Sequence, residues 1–279
     1  MPSAIVDICR ECHSLVTDFL ALNVPYPKAS KRSRILNPYP DFHNDDKLHQ
    51  KTQEQVVKSM KIFAQALDKY TLEELSISYN GGKDCLVMLV IYLAAIYEKY
   101  ENQLLELKSS KLSSVYINNE IGFPEQDDFL YYSVMKYQLS LTKIKDQMKS
   151  GFQRYLDQNP KIKAIAVGIR RIDPYGENLA YVQHTDHGWP AFYRINPVLD
   201  WTYCEIWYFI KATNIEYCSL YDQGYTSIGG IDNTVKNPLL RLGDKYLPAY
   251  MLDDDCHERL SRCDKKEVDS RENRPEEKL

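Results

Sequence analysis

Glycine is scarce in this sequence. There are 11 glycines in 279 residues, and none precedes Gly81. Four of them form the doublets Gly81-Gly82 and Gly229-Gly230. Rare, paired glycine marks places where the backbone turns sharply or approaches a ligand closely, so function is sought first at Gly81-Gly82. Long apolar runs are missing too. No stretch approaches the ~18 residues of a membrane span, which excludes a membrane partner. The opening MPSAIVDICREC lacks a basic region followed by an apolar core, so no secretory signal is expected. With no export signal, the seven cysteines read as reduced thiols of a cytoplasmic protein rather than as a disulfide framework. No charge of one sign dominates: 35 basic against 39 acidic side chains leave a net charge of -4, which argues against broad nucleic-acid binding.

Two cysteine patterns invite metal or haem readings. Cys9, Cys12 and His13 match the spacing of c-type haem attachment, which needs an exported or organellar setting. The same segment places Ile5, Ile8, Cys9, Cys12, Val16 and Phe19 on one helical face, and helical packing is the simpler reading. Cys256-His257 with Cys263 lacks a second pair at zinc-ligand spacing.

Periodicity predicts a helix over 3–22, a long Pro- and Asn-rich loop over 24–50, and a helix over 52–70. Strand-like runs at 75–79, 114–117, 139–144 and 164–169 then alternate with helical stretches at 84–97, 126–137 and 147–156. That alternation predicts an α/β fold with a mostly parallel sheet flanked by helices. A polar segment over 170–190, a strand over 193–197, a helix over 202–212 and an irregular stretch over 222–249 follow. The charged tail from Asp264 reads as disordered. The chain divides accordingly into an N-terminal helix and loop (1–51), a nucleotide-binding core (52–200), a C-terminal helix, loop and Arg-bearing segment (201–263), and the tail (264–279).

The central feature is a strand running into Asn80-Gly81-Gly82-Lys83-Asp84 and then directly into a helix. Glycine lets backbone N–H groups turn toward an anion, and a helix N-terminus adds unpaired donors and a positive dipole end. Lys83 supplies a point charge for phosphate, and Asp84 is suited to magnesium or to capping the helix. The plainer reading is a glycine turn capped by Asp84. The pattern is neither a Walker A loop nor a GxGxxG. Residues Ser78 to Asp84 resemble the pyrophosphate loop of the ATP pyrophosphatase superfamily, in the form used by its PAPS reductase-like branch.

A second constellation, GIRRIDPYGE from Gly168 to Glu177, ends a later strand. Arg170 and Arg171 are guanidinium forks suited to phosphate, and Asp173 beside them is suited to magnesium. Together with TDHGWP (185–190), INPVLDW (195–201) and YTSIGG (225–230), these residues resemble the eukaryotic FAD synthetases, or FMN adenylyltransferases, of fungal type. The resemblance implies a Rossmann-like adenine nucleotide alpha hydrolase fold. It also implies the last step of FAD biosynthesis, FMN + ATP → FAD + pyrophosphate, with Mg2+ as cofactor, ATP and FMN as small-molecule substrates, and apo-flavoproteins as recipients of the product.

By the same resemblance, Ile77, Ser78, Tyr79, Ile117 and Ile169 belong to the ATP pocket. Asn80, Gly81, Gly82, Lys83 and Asp84 hold its β and γ phosphates, and Arg170 contacts phosphate. Asp186, His187, Gly188 and Trp189 lie on the flavin side, with Asp186 on the polar edge of the ring and Trp189 against its face. Arg259 and Arg262 clamp the reacting phosphates, and Asp84 and Asp173 hold the metal. One departure stands out: Asn118 occupies a position where related enzymes often carry Asp. The competing readings are a PAPS reductase using Cys256 or Cys263, a thiolase-type pyrophosphatase, and a non-catalytic nucleotide- or flavin-binding module.

Overall fold

The computed structural model describes residues 5–21, 46–103, 107, 111–252 and 254–263. Most of the expected 24–50 loop and the charged tail lie outside these residues. One sheet holds six strands, in the order β3-β2-β1-β4-β6-β5. They are β1 (Leu75–Ser78), β2 (Leu112–Ile117), β3 (Leu139–Ile144), β4 (Ala164–Val167), β5 (Val182–His184) and β6 (Tyr193–Ile195). Every neighbouring pair is parallel except β5 with β6. The chain winds outward from β1 to β3 through α3 (Lys83–Tyr100) and α4 (Pro124–Lys136). It then crosses back through α5 (Met148–Gln158) to β4, on the other side of β1. This reversal between β1 and β4 is the place where open α/β sheets form a ligand crevice beyond the strands' carboxyl ends.

The sequence explains which helix is central. From Leu86 to Ile96, α3 is apolar on every side, so it must be buried all round. It lies under α1 (Ile5–Leu20), α2 (Asp46–Lys69) and α6 (Tyr203–Ala212), and one core runs through all of them as far as Leu252. The other face of the sheet is covered by α5, whose Phe152 and Tyr155 pack with Val115, Ile144 and Ile165. Cys9 and Cys12 lie on the buried stripe of α1, and burial pushes the Cys9 thiol up to about 12. They are packing residues.

Several boundaries differ from expectation. Helix α2 starts at Asp46 rather than Thr52, because its first turn and a half is polar and carries no apolar stripe. Strand β5 lies inside the polar 170–190 stretch, where three residues paired only to β6 leave no hydrophobic signal. The 222–249 region contains 3-10 turns and a short hairpin of β7 (Arg241–Leu242) and β8 (Lys245–Tyr246). Thr202 caps α6 in a capping box with Glu205; Asp200 does not, and instead gathers Lys58, Arg171 and Tyr181.

Candidate active site

The loop after β1 is built by its own small residues. Tyr79 is buried, and its N–H donates to the Val115 carbonyl at 3.0 Å, carrying the sheet one residue past β1. Asn80 then folds back, and its Oδ1 accepts the Gly82 N–H at 2.9 Å. Gly81 sits at φ 77°, a conformation glycine takes without strain. Gly82 opens α3 from an extended conformation and has no side chain to cap the helix; its own N–H is held by Asn80 and that of Lys83 by the Tyr221 hydroxyl. Ile77 and Ile117 are buried at the ends of β1 and β2, and Ser78 and Ile169 are partly exposed at the strand ends.

The turn after β4 is pressed against the same helix start. A Cβ at Gly168 would lie 2.7 Å from Cys85 Sγ and 3.1 Å from the Cys85 nitrogen, so only glycine allows β4 to end this close to α3. Asp173 accepts the Arg170 N–H at 2.9 Å, and its own N–H donates to the Arg170 carbonyl at 3.0 Å. Gly176 closes the turn, where a Cβ would overlap the Arg170 carbonyl oxygen.

Lys83 and Arg170 do not face solvent. Both are buried in one ionic cluster. Lys83 Nζ lies 2.9 Å from Asp84 Oδ2 and 2.5 Å from Glu258 Oε1. Arg170 Nε lies 2.9 Å from Asp84 Oδ1, and Nη2 pairs with Glu258 Oε2. Asp255 stands 3.7 Å from Arg170 Nη1. Tyr203 and Tyr221 present their rings to Lys83 Nζ at 5.2 and 6.0 Å, and the Tyr221 hydroxyl accepts the Lys83 N–H at 3.1 Å. Burial alone would lower the Lys83 pKa, but Asp84 and Glu258 more than reverse it and hold the ammonium charged. The outward point charge expected at Lys83 is therefore an inward one. Arg171, its neighbour's expected twin, turns away to Asp200 and to the carbonyls of Glu177 and Leu179.

The cluster is short of positive charge. Four carboxylates, Asp84, Asp173, Asp255 and Glu258, surround the two cations. Asp173 feels the shortage: burial, and then the charge of Asp84, raise its pKa. Among the described residues, no group of three or more His, Cys, Asp or Glu could hold a metal alone. This donor set fits a magnesium ion, which is held by one or two carboxylates and completes its shell with substrate phosphate oxygens and water.

The remaining expected residues form two further groups. Asp186–Trp189 make an exposed turn with His187 and Gly188 at positive φ, closed by the Trp189 N–H donating to the Asp186 carbonyl at 2.9 Å. Asp186 and His187 are 3.5 Å apart, and Trp189, 40% exposed, leans on Phe152 of α5 with ring centroids 6.2 Å apart. With that exposure Trp189 is not a core residue. Arg259 is exposed, and Arg262 is partly buried near Glu120. Both follow Glu258 within four residues, so the segment that seals the ionic cluster also carries the two arginines.

Glu258, Asp255, Tyr203 and Tyr221 were not singled out by sequence reasoning. The only sequence signal for Glu258 is its place within the Arg-bearing segment, and nothing in a sequence tells a buried glutamate from a solvated one.

This geometry can be set beside known proteins. A family model for the phosphoadenosine phosphosulfate reductase domain matches residues 74–155 and 150–236. A probable FAD synthase of Schizosaccharomyces pombe is 44% identical over 205 residues, covering 73% of this chain and 77% of that protein. Flavin adenine dinucleotide synthase of Saccharomyces cerevisiae is 34% identical over 220 residues, covering 70% and 72%. Among solved structures, Candida glabrata FMN adenylyltransferase in complex with FAD and inorganic pyrophosphate superposes with a TM-score of 0.81 at 28% identity, over 95% of this chain and 99% of that one. With the Asn80–Asp84 loop and the Arg170–Asp173 turn meeting at the start of α3 between β1 and β4, these likenesses place the chain in the FAD synthase family.

Proposed function

We propose that the chain transfers the adenylyl group of ATP to FMN, giving FAD and pyrophosphate, with the residues of the β1/β4 crevice in the following roles. The observation that carries the reading is the approach of two phosphate-suited turns, Asn80–Asp84 and Arg170–Asp173, at one helix start, enforced by Gly168. A phosphate oxygen of FMN attacks the α-phosphorus of ATP, and the bond from that phosphorus to the bridging oxygen breaks, releasing pyrophosphate. A phosphate monoester with a second pKa of about 6 is largely dianionic at neutral pH, so the attack needs no general base. The difficulty is charge, and catalysis is positioning together with electrostatic stabilisation.

The amides of the Asn80–Asp84 loop and of the first turn of α3 take the β and γ phosphates, the Gly82 N–H exchanging Asn80 Oδ1 for a phosphate oxygen. Lys83 and Arg170 act from behind the loop, offsetting part of the carboxylate charge gathered there. Asp84 and Asp173 hold magnesium, which when bound neutralises phosphate charge and polarises the reacting phosphoryl group. Arg259 and Arg262 close over the phosphates. Asp186 accepts from the polar edge of the flavin, and Trp189 offers its exposed face to the ring, beside His187 and Gly188. Backbone at Ile77, Ile117 and Ile169 lines the adenine side, with Ser78 and Tyr79 behind it. Delivery of FAD to apo-flavoproteins and a cytoplasmic setting belong to the same reading, the latter on the thiol-rich composition.

The test is FAD formation by purified protein supplied with FMN, ATP and magnesium, with pyrophosphate release followed in parallel. Release is expected to depend on FMN. Release at the same rate without FMN, or with another acceptor preferred, would overturn the substrate assignment.

A further inference from the structure

The second glycine doublet has no part in the roles above, yet it is the most tightly engaged glycine pair in the molecule. Neither Gly229 nor Gly230 has positive φ, so backbone conformation does not explain them. Space does. A Cβ at Gly229 would fall inside the guanidinium of Arg262, overlapping Cζ and both terminal nitrogens. The guanidinium of Arg262 thus fills the space that a side chain at Gly229 would need. A Cβ at Gly230 would lie 2.9 Å from both Cβ and Oε2 of Glu120.

The surrounding bonds fix this arrangement from both sides. Glu120 Oε2 accepts the Gly230 N–H at 2.9 Å, and its Oε1 accepts Asn233 Nδ2 at 2.6 Å. Glu120 also supplies the negative charge that faces Arg262. Its own position comes from Asn118, whose Oδ1 accepts the Glu120 N–H at 2.9 Å while Nδ2 donates to the Glu120 carbonyl at 3.2 Å. The Gly229 N–H donates to Thr234 Oγ1 at 3.0 Å, and Thr234 pairs in an antiparallel bridge with Arg262 itself. Asn118 is therefore one end of a chain of contacts that reaches Arg262.

We infer that Gly229 is a positioning residue for the FAD-forming reaction: its missing side chain is the seat of the Arg262 guanidinium, and Glu120, held by Asn118 and Gly230, is the counter-charge that keeps it there. The inference rests on the proposed role of Arg262 over the phosphates. A planar guanidinium has one orientation in which its fork meets phosphate oxygens. A misplacement of about 1 Å at such a group costs on the order of 10²-fold in rate.

The experiment is a double-mutant cycle of wild type, Gly229→Ala, Arg262→Ala and the double variant. FAD formation is measured at varied FMN and saturating ATP, with thermal unfolding of each protein in parallel. Gly229→Ala is expected to lower kcat/KM for FMN about 10²-fold, and to lower it less than about twofold when Arg262 is already alanine, as coupled residues do. A double variant whose loss is the product of the two single losses would overturn the inference. If Gly229→Ala does not fold, Glu120→Gln takes its place in the same cycle with the same two outcomes. If the wild type makes no FAD, the reading of the site fails by itself. The cycle is then read from the Kd of magnesium pyrophosphate by calorimetry, where coupling to Arg262 supports the seat and additivity overturns it.

Discussion

Glu258 Oε1 lies 2.5 Å from Lys83 Nζ, joining residues 175 positions apart inside the protein. Through its other oxygen the same carboxylate holds Arg170, so one side chain of the C-terminal segment closes both cations of the β1/β4 crevice. Glu258→Gln keeps the shape but loses the charge-assisted hydrogen bonds to both cations, each worth about 1.5–3 kcal/mol, while Asp84 still pairs both and the surplus of carboxylates is eased. The variant should therefore lower unfolding stability by about 1.5 kcal/mol, measured by urea denaturation at pH 7. A change below about 0.5 kcal/mol, the range of ordinary surface substitutions, would mean that the carboxylate is not structural.

Lys83 and Arg259 are both assigned to phosphate chemistry, but they should fail differently. Lys83 is buried with carboxylates on it, whereas Arg259 is exposed. Lys83→Ala is expected to lower the melting temperature and activity together. Arg259→Ala should leave melting unchanged and reduce kcat on the order of 10²-fold. Calorimetry alongside FAD assays separates the two, and equal melting temperatures for both variants would contradict the placement of Lys83.

The excess of carboxylates around Asp84 and Asp173 gives a metal prediction. Asp173→Asn should raise the magnesium concentration for half-maximal FAD formation by at least about tenfold. The KM for FMN should hold steady, because Asp173 sits on the Arg170 turn, apart from the 186–189 turn. An unchanged magnesium requirement would remove Asp173 from the metal site.

His49 supplies a pH test far from the crevice. Its ring is buried beside Phe19 and Tyr208, with Nδ1 2.9 Å from the Tyr208 hydroxyl. Burial lowers its pKa below the ordinary 6.5, against a smaller opposing pull from Asp46. The unfolded chain then takes up a proton at a higher pH than the folded one, so stability is fully present above about 6.5 and declines as pH falls below it. Unfolding measured between pH 7.5 and 5 should show that decline, and His49→Gln should flatten it. An equally steep profile in the variant would place the titrating group elsewhere.

Much of this architecture is legible in the sequence, for reasons that differ by element. The β1–loop–α3 unit is readable because its residues carry the constraint themselves: Asn80 and Gly81 make the turn, and the uniformly apolar α3 can only be central. Strand β3 is found at its observed limits because Leu139, Leu141 and Ile144 lie between polar breaks at Gln138 and at Lys145-Asp146. The start of α2 and strand β5 are not readable, since one is polar for its first turns and the other is three residues paired at a sheet edge. In the site, spacing finds Lys83 and Arg170 but not the direction they face. That direction is set by Asp84 together with Glu258, which lies 175 residues from Lys83 in the chain. Spacing also marks Gly229-Gly230 without giving a reason, because the reason is a side chain from Arg262.

The closure by Glu258 has a consequence for the order of events during synthesis. Lys83 and Arg170 leave the ribosome well before Glu258, so the strands that carry them can pair while both charges are still hydrated. The crevice is completed when the last described segment docks, which makes nucleotide competence a late event in the life of each new molecule. A nascent chain halted just after Met251 would carry the sheet, the loop and the Arg170 turn, yet hold two cations with no carboxylate from the C-terminal segment to seal them.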